Sequence, residues 1–102
     1  MTFNFETKKN GEELEVILSG SLDANNATPL LEEMKKYVGE KISKITFDAG
    51  ELEYIASAGL RVIIFTKQKI GYEADVFLKN PNEVVRSVVD MTGLDNFIKI
   101  IE

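Results

Sequence analysis

The chain has 102 residues, 12 lysines and arginines against 17 aspartates and glutamates, no cysteine and no histidine, for a formal net charge of −5. Lacking both of those residue types, it is closed to disulfides, thiolate metal sites, Ser-His-Asp relays and imidazole proton shuttles, and its acidic balance argues against nucleic acid, whose phosphates demand a basic face. A chain of this size suits one domain spanning residues 1–102, and with no apolar run near the roughly 18 residues of a membrane span and no secretory pattern after Met1, a cytoplasmic protein without membrane association is expected.

Phe3, Phe5 and Thr7 alternate in strand fashion, and Asn10-Gly11 supplies a turn into a second extended run, Glu13 to Ser19, with Leu14, Val16 and Leu18 on one face. Gly20-Ser21 is expected to end that strand. Beyond the loop Leu22 to Asn26, residues Ala27 to Val38 carry Leu30, Leu31, Met34 and Val38 at helical spacing, with Asn25 or Asn26 as cap, Pro29 in the first turn and Gly39 as stop. Ile42 to Phe47 returns to strand character, closing at Asp48 before the turn residues Ala49-Gly50. From Ser57 to Ile70 a second helix places Leu60, Ile63, Ile64 and Ile70 on one side, with Val62 and Phe65 opposite, either covered by another helix or left as an apolar patch. Ala74 to Leu78 reads as a short strand. Asn80-Pro81 opens a third helix with Val84, Val85, Val88 and Met91 as its stripe, Gly93 closes it, and Phe97 to Ile101 forms a last strand. Connections this short leave room for one core only, so the expected fold is α/β: a mixed sheet of about five strands with three or four helices, an antiparallel N-terminal hairpin and parallel strands joined by right-handed crossovers.

The passage Leu52 to Arg61 turns from an extended apolar stretch into a helix through the small residues Ala56, Ser57, Ala58 and Gly59. Serine is a preferred helix cap, and capping alone would account for Ser57 at this point. Asp23, Asn25 and Asn26 are turn-forming and helix-capping by type, which equally explains their presence in the preceding loop. Arg61 lies off the apolar stripe, as a solvated residue or a rim contact. The glutamates Glu32, Glu33, Glu51 and Glu53 read as solvated, and no Gly-rich phosphate loop occurs.

Three segments together resemble one family, the STAS domains, and within it the bacterial anti-sigma-factor antagonists. Gly20-Ser21-Leu22-Asp23 is similar to the family's Gly-x-Leu-Asp, Tyr54-Ile55-Ala56-Ser57-Ala58-Gly59-Leu60 to its Asp-Ser-Ser/Ala-Gly-Leu, and Met91-Thr92-Gly93-Leu94 to its Ser/Thr-Gly-Leu, in that order. The resemblance implies a STAS-like fold and a protein that binds and does not catalyse, with no cofactor and no metal. It implies Ser57 as phosphoacceptor, an anti-sigma serine kinase as partner, a phosphatase as a second candidate partner, and a contact surface of Asp23, Ala24, Asn25, Ala56, Ser57, Ala58, Gly59 and Arg61. Ala56 departs from the pattern: it stands where an acidic residue is commonest. A constitutive adaptor on the same fold is therefore a competing expectation, and a small enzyme or nucleotide-binding protein is the alternative from another class.

Overall fold

The computed structural model describes residues 2–102. Strands β1 (Phe3–Asn10) and β2 (Glu13–Leu22) form the antiparallel hairpin, followed by α1 (Ala27–Lys35), β3 (Lys44–Ile55), α2 (Ser57–Lys69), β4 (Asp75–Lys79), α3 (Glu83–Thr92), a short 3-10 turn (Leu94–Asn96) and β5 (Lys99–Ile101). Spatial order equals chain order, β1-β2-β3-β4-β5, and every pair after the hairpin is parallel. Right-handed crossovers that always step toward the same sheet edge put all their helices on one face. Burial follows: Leu14, Val16 and Leu18 of β2, Ile45, Phe47 and Ala49 of β3, and Val76 and Leu78 of β4 all lie in the core, joined by Leu30 and Met34 of α1 and Leu60 and Ile63 of α2.

The opposite sheet face has no helix over it, although parallel strands are usually covered on both sides. Its side chains are mostly polar, with apolar Ile17, Phe77 and Ile101 among them. The register aligns Lys8, Glu15, Thr46, Phe77 and Lys99 in one row across all five strands. Phe77, the aromatic of that row, lies beneath two ammonium groups, Lys44 Nζ at 5.4 Å and Lys99 Nζ at 5.9 Å from the ring centre. Those lysines also approach Glu13 and Asp75 at 3.9 and 3.8 Å.

Several expected boundaries move, each for a local reason. β2 does not stop at Gly20-Ser21, because Gly20 takes a positive φ of 88° and the strand continues through a bulge to Leu22. A Cβ at Gly20 would overlap the Thr2 carbonyl oxygen, which instead accepts the Ser21 N–H at 3.1 Å. β3 likewise runs through Ala49-Gly50: Asp48 Oδ1 accepts the Gly50 N–H at 3.0 Å, and the pairing shifts from Ile17 with Asp48 to Ser19 with Glu51. The turn-forming residues produce an irregularity where an ending was expected. Helix α1 closes at Lys35, short of Val38, which is left 50% exposed in the turns leading to Gly39.

Two helix faces are also rotated from their expected stripes. In α2, Val62 is buried and Phe65 half-buried against the core with α1 packed alongside, while Ile64 is partly exposed, so the covered alternative for Val62 and Phe65 holds. In α3, Val85 and Val89 are buried but Val84 and Met91 face solvent, because the side turned to the sheet is centred on the i, i+4 pair. The last strand is shorter than expected: Phe97 precedes it, exposed, and only Lys99–Ile101 pair with β4.

Hairpin and α1 are joined by side chains. Tyr37 donates its hydroxyl to Thr7 Oγ1 at 2.9 Å, Thr7 donates to Glu33 Oε2 at 3.0 Å, and Lys36 Nζ reaches Glu33 Oε1 at 2.9 Å. The Lys36 and Thr7 hydrogen bonds hold the Glu33 carboxyl below its ordinary value of 4.5. A depressed folded-state value stabilises the protein above the unfolded one, and the contribution disappears as pH falls through the folded value. Glu33→Gln is accordingly expected to lower stability at neutral pH and to flatten the loss of stability below about pH 4.5, as read by urea unfolding at a series of pH values.

Candidate functional site

The candidate site lies at the end of the sheet where the parallel strands finish, the usual position for recognition in open α/β sheets. The register sets Leu22 opposite Ile55, and the Ala56 N–H donates to the Leu22 carbonyl at 2.8 Å. The chain leaving β2 and the chain leaving β3 are thereby held side by side. The loop Asp23 to Asn26 and the corner Ala56 to Ser57, which the family resemblance implies share one contact surface, follow directly from these two strand ends.

The loop is locked by its own polar groups. Asp23 Oδ1 accepts the Asn25 N–H at 2.9 Å, Asn26 Oδ1 accepts the Asp23 N–H at 2.8 Å, and Asn26 Nδ2 donates to the Ser21 carbonyl at 2.8 Å. Asn26 occupies the cap position of α1 without a side-chain capping bond, so the expected asparagine cap is replaced by a loop clasp. Ala24 and Asn25 are left exposed and Asp23 half-buried.

At the corner the expected cap is displaced by one residue. Ala56, with φ −97° and ψ 174°, is the N-cap of α2, and Ser57 is the first helical residue. The cause is the sheet: Ile55 remains paired with β2, so the change of conformation falls at Ala56. The N–H groups of Gly59 and Leu60 both donate to the Ala56 carbonyl, at 3.0 and 3.1 Å. Alanine provides no side-chain acceptor for the remaining first-turn N–H groups, those of Ser57 and Ala58. Ser57 is exposed, Ala56 and Ala58 are half-buried, and Arg61 is exposed one turn further on.

Gly59 is buried and shapes the surface from beneath. A Cβ there would stand 2.7 Å from Leu22 Cγ and 2.8 Å from Ile55 Cγ1, so only glycine lets α2 start so close to the two strand ends. Two residues at this end were not singled out from sequence. Tyr54, 42% exposed, immediately precedes the corner. Asn82 caps α3 by accepting the Val85 N–H at 2.8 Å, and its amide reaches back to β3. An asparagine directly before Glu-Val-Val is a cap pattern, which was the available sign. Among the described residues no group of three or more acidic side chains is arranged to hold a metal ion.

A helix-backed sheet that presents two short connections at its carboxyl end defines a small α/β domain. The chain belongs to the STAS domain family, whose model matches residues 4–102. It is 27% identical over 101 residues to the anti-sigma-B factor antagonist of Bacillus subtilis, covering 98% of this chain and 92% of that protein. It is 32% identical over 77 residues to BtrV of Bordetella bronchiseptica, a provisionally named anti-sigma factor antagonist, covering 74% of this chain and 66% of that relative's length. Among solved structures, the Bacillus anti-sigma factor antagonist SpoIIAA superposes in its unphosphorylated form with a TM-score of 0.83 at 18% identity, covering 95% of this chain and 87% of that one. Its phosphorylated form superposes with a TM-score of 0.75 at 17% identity, covering 95% and 90%. At such identity these superpositions speak for the fold.

Proposed function

We propose that this STAS domain is an anti-sigma-factor antagonist of the cytoplasm that acts by binding and not by catalysis. Unphosphorylated, it engages an anti-sigma serine kinase through the Asp23 to Asn26 loop and the Ala56 to Arg61 corner and so frees a sigma factor; phosphorylation of Ser57 ends that binding. The observation that carries the reading is an exposed serine in the first turn of α2, set among small residues beside the loop that leaves β2. A phosphate there adds a charge of about −1.5 to −2 at the middle of the contact surface. The helix N-terminus favours that charge within the folded domain by roughly 0.3–1 kcal/mol, so the modification opposes association while leaving the fold intact.

Calorimetric titration against candidate anti-sigma serine kinases tests this with unmodified protein, Ser57→Ala and Ser57→Asp. One kinase is expected to bind the first two forms and to bind the Asp form at least about tenfold, or 1.4 kcal/mol, more weakly. Equal affinity for all three forms would remove the switch. Ala56 favours a second reading, a constitutive adaptor, because the corner lacks the carboxylate that family members commonly carry beside the phosphoacceptor. Incubation with kinase and ATP separates the two: only the switch acquires phosphate on Ser57.

A further inference from the structure

Strand β3 outruns its neighbour. Its pairing with β4 ends at Asp48 and Lys79, whereas β3 itself continues to Ile55 with only β2 beside it. The seven residues from Ala49 to Ile55, which lead directly into the Ser57 corner, therefore have no strand partner on the β4 side. One side chain fills part of that vacancy. Asn82 Nδ2 donates to the carbonyls of Leu52 at 3.1 Å and Glu53 at 3.3 Å, while its Oδ1 accepts the Val85 N–H at 2.8 Å. Both ends of the amide have partners of fixed polarity, carbonyl oxygens on one side and an N–H on the other, so its orientation is determined.

We propose that Asn82 is a positioning residue for the Ser57 corner: it clamps the unpaired edge of β3 to the start of α3 and fixes where the strand delivers Ala56 and Ser57. The two bonds act four and five residues ahead of Ser57, on the flank of this part of β3 that no strand holds. β2 holds the other flank, through Ser21 with Tyr54 and Leu22 with Ile55. The clamp ties the corner to an element, α3, that contributes nothing to the predicted contact surface.

Capping and clamping separate by substitution. Asn82→Asp keeps an oxygen for the Val85 N–H and remains a good cap, but has no N–H to give to Leu52 and Glu53. Hydrogen exchange read by mass spectrometry on the intact protein is expected to accelerate about tenfold in peptides covering residues 51–58 of Asn82→Asp, since both bonds to the strand are lost, with exchange in β2 and α1 unchanged. Asn82→Ala is expected to show the same acceleration and, in addition, faster exchange in the first turn of α3. Unchanged exchange at 51–58 in the Asp variant, or an equal rise throughout the chain, overturns the clamp. The last step of the inference rests on the proposed kinase binding: Asn82→Asp is expected to weaken a kinase that binds the unmodified protein by about threefold to tenfold. Should no kinase bind the unmodified protein, the functional reading fails while the exchange measurement still decides the clamp; should a kinase bind both forms equally, the clamp has no bearing on recognition and the inference falls.

Discussion

Replacing Gly59 by valine is expected to cost the domain about 3 kcal/mol of stability, near the upper end of ordinary overpacking penalties. The first added atom alone would sit 2.7 to 2.8 Å from Leu22 and Ile55, both completely buried, and the branches of valine add to the conflict. Helix propensity works in the other direction, since any residue but proline prefers a helix interior to glycine by up to about 1 kcal/mol, and it offsets only part of the cost. The clash has a specific partner. Leu22→Ala, a cavity-forming change on its own, is expected to make room for the valine, so the double variant should be more stable than the sum of the single changes predicts by at least about 1 kcal/mol. Urea unfolding of the four proteins measures this directly. Strict additivity would mean that α2 shifts as a body to accept the valine and that Gly59 does not set the approach of helix to sheet.

Phe47→Ala is the second large effect, with an expected loss of about 3–5 kcal/mol. Phe47 is completely buried at the centre of the sheet, in register with Val16 on one side and Leu78 on the other, both equally enclosed. Set against a total stability of about 5–15 kcal/mol, the loss should lower Tm by about 15 °C or more in a domain of this size. Phe77 provides the control. It projects from β4 onto the uncovered face beneath Lys44 and Lys99, and its replacement by alanine is expected to cost about 1 kcal/mol, the scale of an exposed cation–π contact with partial burial. Thermal unfolding that lowered both variants alike would contradict the assignment of inner and outer sheet faces.

Most of the architecture was legible because period-two and period-3.6 patterns report burial on one face, and these elements have one buried face each. Leu14, Val16 and Leu18 were read correctly for that reason. The misreadings share a cause: local signals were overruled by neighbours distant in sequence. Gly20-Ser21 and Ala49-Gly50 carry turn chemistry, yet each pair lies in the adjoining stretches where β2 and β3 hydrogen-bond, and the ladder absorbs them as irregularities. The stripe of α3 could be drawn through Val84 and Met91 or through Val85 and Val89 with similar spacing, and only the position of the sheet distinguishes them. Residue preference makes Ser57 the expected cap; the bond from Ala56 to Leu22 moves the boundary by one residue, and the serine is exposed in the first turn. The bonds from Asn82 to β3 are not legible in the sequence, since its acceptors there are 29 and 30 residues away along the chain.

The identity of spatial and sequential strand order bears on how this protein is made. Every strand pairs with the one synthesised before it, so only the last pairing, β5 with β4, waits for residues 99–101 to emerge from the ribosome. Closing short loops is entropically cheaper than closing long ones, and topologies dominated by such pairings fold faster than those joined across the whole chain. The hairpin can form first as a template, and each later helix and strand can dock onto the edge already present. Assembly can thus keep pace with translation, leaving the growing edge open for only as long as the next strand takes to appear.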